Sequence, residues 1–187
     1  MKKKLILCVV CILSFMLTGC GSQEEKLDLK KLCNANGDFQ FADVEWGSSK
    51  KEVEAALDIL LEEKITESEE FQAYLLRDWG SLKGQKVNLI CEFKKDELSA
   101  VSFMICPEEQ ERDAIWADLS EELCVLYGDD AETAKYDNEE QKLKIKTESS
   151  SYLWERKGGR HTALELMKLK NNSAFKYMQI SVYAVEK

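Results

Sequence analysis

The chain has 187 residues, with 35 acidic side chains against 26 basic ones and a formal charge of −9. An acidic balance of that size argues against nucleic acid as a partner, because binding a polyphosphate relies on clustered Lys and Arg. The length suits one domain with a real core, and no Cys/His spacing of a metal site is present, so neither a metal nor another cofactor is expected.

The N-terminus reads as a secretory signal over residues 1–19. Met1-Lys2-Lys3-Lys4 supplies the positive start, and Leu5 to Leu17 is apolar except for Ser14. That run is shorter than the roughly 20 residues a spanning helix needs. It ends in Leu17-Thr18-Gly19-Cys20, which resembles the lipobox of bacterial lipoproteins. The resemblance implies a cut before Cys20, lipid on that cysteine, and a body held at the extracytoplasmic face of a membrane. Two or three acyl chains would hold it stably, since each buried CH₂ contributes about 0.8 kcal/mol. The cut leaves 168 residues, 23 basic and 35 acidic, for a formal charge of −12. A body so acidic is expected to stand off an anionic lipid surface.

Residues 20–36 are polar, with Leu27, Leu29 and Leu32 too few to make a packed element, and are expected to be a tether reaching about 20–25 Å. Residues 37–187 are expected to form a single globular domain. Phe39 to Val44 alternates and predicts a strand closed by Trp46-Gly47. Ser49-Lys50-Lys51-Glu52 is a capping box, and Val53, Ala56, Leu57, Leu60 and Leu61 predict a helix reaching about Glu63. Thr66 to Glu70 reads as a loop, and Phe71 to Trp79 as a strand or the end of a helix. Val87 to Phe93 and Val101 to Ile105 alternate on either side of Lys95-Asp96-Glu97, a hairpin with one buried face.

Pro107 and the acids Glu108, Glu109 and Glu111 open a second helix. Its stripe is Ile115, Trp116, Leu119, Leu123, Leu126 and Tyr127, and Gly128 stops it. Asp129 to Gln141 reads as an acidic loop, with a short strand over Leu143 to Lys146. A three-strand meander follows, turning at Gly158-Gly159 and Asn171-Asn172-Ser173. The fold class is therefore α+β: two amphipathic helices packed on one face of a largely antiparallel sheet of about six strands, in helix-meander-helix-meander order.

Element order from Phe39 to Val185, with Phe39-Gln40-Phe41-Ala42-Asp43-Val44-Glu45-Trp46-Gly47-Ser48-Ser49 and Leu126-Tyr127-Gly128, resembles small secreted domains of the β-lactamase-inhibitor-protein and BamE-like type. The resemblance implies a non-catalytic module that binds another envelope protein or peptide, and carries over no functional residue; a monomer is expected.

In the last strand Met178, Ile180, Val182 and Ala184 share one side, and Phe175, Tyr177, Gln179, Ser181 and Tyr183 the other. If the aliphatic side meets the helices, Phe175, Tyr177, Gln179 and Tyr183 form an outward binding face, since tyrosine offers contact area at low entropy cost. The opposite arrangement places the aromatic side in the core. Tyr152, Trp154 and Arg156 pose the same choice against Leu153, and Trp154 is expected in the core.

Two other readings stay open. A small envelope hydrolase would use His161 or acids at Glu62-Glu63, Glu69-Glu70, Glu108-Glu109-Glu111 or Asp129-Asp130, two of them about 5 to 9.5 Å apart. A solute-binding accessory protein would need a cleft that one domain of this length does not readily supply. His161 is expected to be a solvated hairpin residue. Cys33, Cys91, Cys106 and Cys124 permit three disulfide pairings, with small buried thiols the alternative.

Overall fold

A computed structural model describes residues 25–68, 70–140, 145–157, 160–171 and 176–185. About half of the described residues are strand. The strands are β1 (Glu25–Lys26), β2 (Glu63–Glu67), β3 (Phe71–Leu82), β4 (Gln85–Lys94), β5 (Glu97–Ile105), β6 (Glu132–Glu140), β7 (Ile145–Lys157), β8 (His161–Asn171) and β9 (Lys176–Ala184), and the α-helices are α1 (Lys50–Leu57) and α2 (Glu109–Tyr127). One nine-stranded sheet runs β1-β3-β4-β5-β9-β8-β7-β6, with β2 added beside β3. All pairings are antiparallel except β1 with β3.

The expected six-strand sheet under two helices is thus overturned. Three further strands arise where the sequence reads as loop or tether. Glu63–Glu67 pairs with β3, Glu132–Glu140 pairs with β7, and Glu25–Lys26 pairs with Gly80 and Ser81. Polar segments of this kind carry no alternation of their own, and they are strands because an existing edge offers hydrogen bonds.

Nor do two helices alone cover the core. α1 is only eight residues long and buries only Val53 completely; Ala56 lies exposed and Leu60 is 66% exposed. It stops at Asp58, which takes a left-handed φ of 51°. The missing cover comes from the expected tether: Leu27, Leu29 and Leu32 are buried, as are Phe39, Phe41 and Val44. This stretch is pinned along its length. Leu27 N donates to Ser81 O at 3.1 Å, the Tyr127 hydroxyl donates to Leu29 O, and Phe39 N donates to Thr162 Oγ1 at 2.8 Å. The folded body therefore starts by residue 25, not residue 37.

Phe39 to Val44 is not a strand. It makes a single bridge, Cys33 to Phe39, and then turns through Ala42 at φ 51°. Phe39, Phe41 and Val44 are buried while Ala42 and Asp43 are exposed, and backbone groups of the segment bond to side chains and turns: Trp46 Nε1 donates to Phe39 O at 2.9 Å. The strand expected to close at Trp46-Gly47 is therefore a coil that buries Phe39, Phe41 and Val44.

Other local signals act as read. Ser49 and Glu52 form both halves of the capping box, at 3.4 and 2.8 Å, and the bonds from Ser49 hold the Glu52 carboxyl below its ordinary range. Lys95 and Asp96 both have positive φ, the type I′ geometry that suits the twist of the β4–β5 hairpin. α2 buries Ile115, Leu119, Leu123 and Tyr127 and stops at Gly128, φ 104°, where an added Cβ would meet Asp130 Oδ1 at 2.8 Å. The two turns of the final meander lie largely outside the described residues, as does Leu143.

The core fills the space between this layer and one face of the sheet. Val87, Leu89, Cys91 and Phe93 of β4 line up with Val101, Phe103 and Ile105 of β5, Met178, Ile180 and Val182 of β9, and Leu164 and Leu166 of β8. Each such buried side chain stabilises the fold by about 1.5–3 kcal/mol. In β3 a register shift between Leu76 and Gly80, with Asp78 at φ 49°, re-aims Trp79 onto Phe41 and Phe103. Trp154 is 1% exposed, and its Nε1 donates to Gly128 O at 2.8 Å, tying β7 to the end of α2.

Candidate functional site

The strand period of two sends every second residue to the opposite face, which neither helix covers. On that face the register aligns three rows. One runs Glu92, Ala100, Tyr183, Ala163, Glu155; the next runs Ile90, Ser102, Ser181, Glu165, Leu153; the third runs Met104, Gln179, Met167, Ser151. Small residues at the centre, Ala100, Ser102, Ser181 and Ala163, leave a depression between longer neighbours. The result is a groove of about 320 Å³ bounded by Glu92, Ser99, Glu165, Gln179 and Tyr183.

Its floor is polar and ordered. Ser102 Oγ and Ser181 Oγ stand 2.9 Å apart, and Gln179 Nε2 donates to both, at 3.1 and 2.8 Å. The two serines are buried although they lie on the open face. One hydroxyl hydrogen and the Gln179 Oε1 acceptor are left over by these bonds among the described residues.

The rim is acidic. Burial lifts the Glu92 carboxyl above its ordinary range. Burial also raises the phenols of Tyr177 and Tyr183, with Glu165 adding to both. Glu92 and Glu165 stand on strands three spacings apart, about 14 Å between backbones. No second carboxylate contributes to the rise at Glu92. The two carboxylates flank the groove from strands that are not neighbours.

The expected binding residues fall as follows. Tyr177, Gln179 and Tyr183 lie on the open face, half-buried, while Met178, Ile180 and Val182 face the core. Phe175 lies outside the described residues. Leu153 shares the open face and Trp154 the core. Glu92, Ser102 and Glu165 go unmarked in the sequence because each sits on a different strand. Only the order β4-β5-β9-β8, which places the last strand inside the sheet, brings them together.

The remaining candidates are dispersed. His161 is not simply solvated: it is half-buried, with Nε2 3.1 Å from Glu155 Oε2. Glu63 pairs with Arg77 at 2.6 Å and Glu109 with Lys176 at 2.8 Å, bonds that lower both carboxyls. Glu69 lies outside the described residues, and Glu62, Glu70, Glu108, Glu111, Asp129 and Asp130 are exposed. Among the described residues no three His, Cys, Asp or Glu side chains are grouped to hold a metal ion. The four cysteines are unpaired: burial pushes the Cys91 thiol up to about 12, whereas Cys33 and Cys124 are partly buried and Cys106 is exposed. No described helix is long and apolar enough to cross a membrane. Comparison with protein-family models, with curated proteins and with solved structures gives no match.

Proposed function

We propose that this chain is a lipid-anchored, extracytoplasmic binding module that engages a partner protein through the open face of its sheet, without catalysing a reaction. The observation that carries the reading is the groove between β4 and β8, where an ordered serine-glutamine floor, a half-buried tyrosine and two carboxylates face outward from a dry core. Polar groups held in fixed positions on a rigid sheet, with an aromatic ring beside them, match the anatomy of a protein-binding patch. The anchor is Cys20. Four residues lie between it and Glu25 in β1, at most about 18 Å of chain, so the folded body begins close to the membrane surface.

The test places a photo-crosslinking amino acid at Tyr183 or Gln179 in the full chain expressed in cells, with Val125 on α2, 80% exposed, as the control position. Adducts of one size from the groove positions and none from the control are expected. Adducts from neither groove position, or the same adducts from all three, defeat the reading. Anchoring is tested separately: the mature N-terminus should carry acyl chains by mass spectrometry, and Cys20→Ala should release the protein from membranes.

A further inference from the structure

We propose that the partner enters the groove with a basic side chain, a lysine or an arginine. The proposal rests on the open face being the binding surface and adds the chemistry of what it receives.

The first support is a contrast between acids. On the other face and around the helices several carboxylates meet cations: Glu122 pairs with Lys83 at 2.7 Å, Asp113 with Lys168 at 3.1 Å, and Glu109 with Lys176 at 2.8 Å. In the groove no basic residue contributes to the lining. Among the described residues neither Glu92 nor Glu165 makes a hydrogen bond or an ion pair through its carboxyl group. A half-buried carboxylate without a partner costs free energy, and a cation arriving from outside recovers it.

The second support is the space between them. From Glu92 to Tyr183 the row passes over Ala100 alone, a gap of two strand spacings, about 9.6 Å, that one methyl group does not fill. A long side chain laid along this gap brings its ammonium or guanidinium group to Glu92 and rests its apolar stem beside the ring of Tyr183. Gln179 Oε1 adds an acceptor below. A carboxylate-bearing partner meets only repulsion here, since the floor's donors number one spare hydroxyl.

Charge across the whole acidic body attracts any polycation, so the test separates the groove from the background. Fluorescein-labelled octapeptides of alternating lysine and serine, or of glutamate and serine, are titrated by anisotropy into the full chain in uncharged detergent micelles. Glu92→Gln with Glu165→Gln is compared with Glu62→Gln with Glu121→Gln, which removes two exposed charges elsewhere, and thermal melts check that both are folded. The lysine peptide is expected to bind tighter than the glutamate peptide, and the groove pair to cost about tenfold in affinity against about twofold or less for the control pair. Equal binding of the two peptides, or equal losses in the two variants, overturns the proposal. The Tyr183 crosslink then judges the parent reading by itself. Adducts that persist undiminished in the groove variant overturn only the basic side chain, and their absence from the unsubstituted protein removes the binding face.

Discussion

The two faces of this sheet are made from the same strands, residue by residue in alternation, and they differ in almost every physical respect. One carries Leu89, Phe103, Ile180 and Leu166 in line, all buried under α2, α1 and the segment 27–44. The other carries Ile90, Ser102, Ser181 and Glu165 along the neighbouring row. The first face supplies stability and the second a surface. The division shows how a small domain separates the two tasks: a rigid, dry side holds the backbone of a polar side in register, so that a groove floored by two serines keeps its shape without a core beneath it of its own.

The sharpest way to break this comparison is to remove Trp154 from the covered face. Trp154→Ala should cost about 3–5 kcal/mol, because it leaves a large cavity and an unpaired Gly128 carbonyl; urea unfolding measures it, and a loss below about 1 kcal/mol would mean that β7 is not part of the core. Leu32→Ala comes next. A residue in a tether loses nothing on truncation, whereas a fully buried leucine should lose about 2–5 kcal/mol in the same assay. Ser49→Ala removes one half of the capping box on α1 and should cost about 1 kcal/mol, with the circular-dichroism melt shifted accordingly.

The smallest effect has the opposite sign and belongs to the open face. Burial raises the folded-state pKa of Glu92 above its unfolded value. The folded state therefore holds a proton that the unfolded state has released, and stability falls as pH rises through that window. Above it the cost of the buried charge is fully present. Glu92→Gln should then be more stable than the parent at neutral pH, with the difference shrinking as pH falls below the ordinary carboxylate range. Chemical denaturation across acidic and neutral pH checks this, and a variant less stable than its parent at neutral pH would show that Glu92 has a partner in the fold.

Much of the covered face was legible in advance. The β4–β5 hairpin, the stripe of α2 and the capping box each rest on neighbours within a few residues, and their signals survive folding. The failures share a cause. Glu132–Glu140 and Glu63–Glu67 are polar and have no periodicity, so nothing local marks them as strands; a sheet edge recruits them. Phe39 to Val44 shows the reverse case, since its alternation is real but the space under Trp46 and against Thr162 bends it into coil. Leu27, Leu29 and Leu32 are too few to make a helix or strand, yet a gap in the core accepts them one at a time. In the groove, Tyr183 and Gln179 were readable from one strand, whereas Glu92 and Glu165 were not.

What the sequence determined by itself is the set of local decisions: an acidic composition, a β4–β5 hairpin whose turn and alternation agree, a helix between Pro107 and Gly128, and two chemically distinct sides to β9. Which side of β9 is covered, where the strand lies among its neighbours, and which acids it meets across them were settled only by tertiary structure. The reason is range. Backbone propensity and side-chain period act over a turn or a pleat, whereas strand order and the placement of a covering layer depend on burial summed over residues more than a hundred positions apart, as in the bond from Phe39 to Thr162.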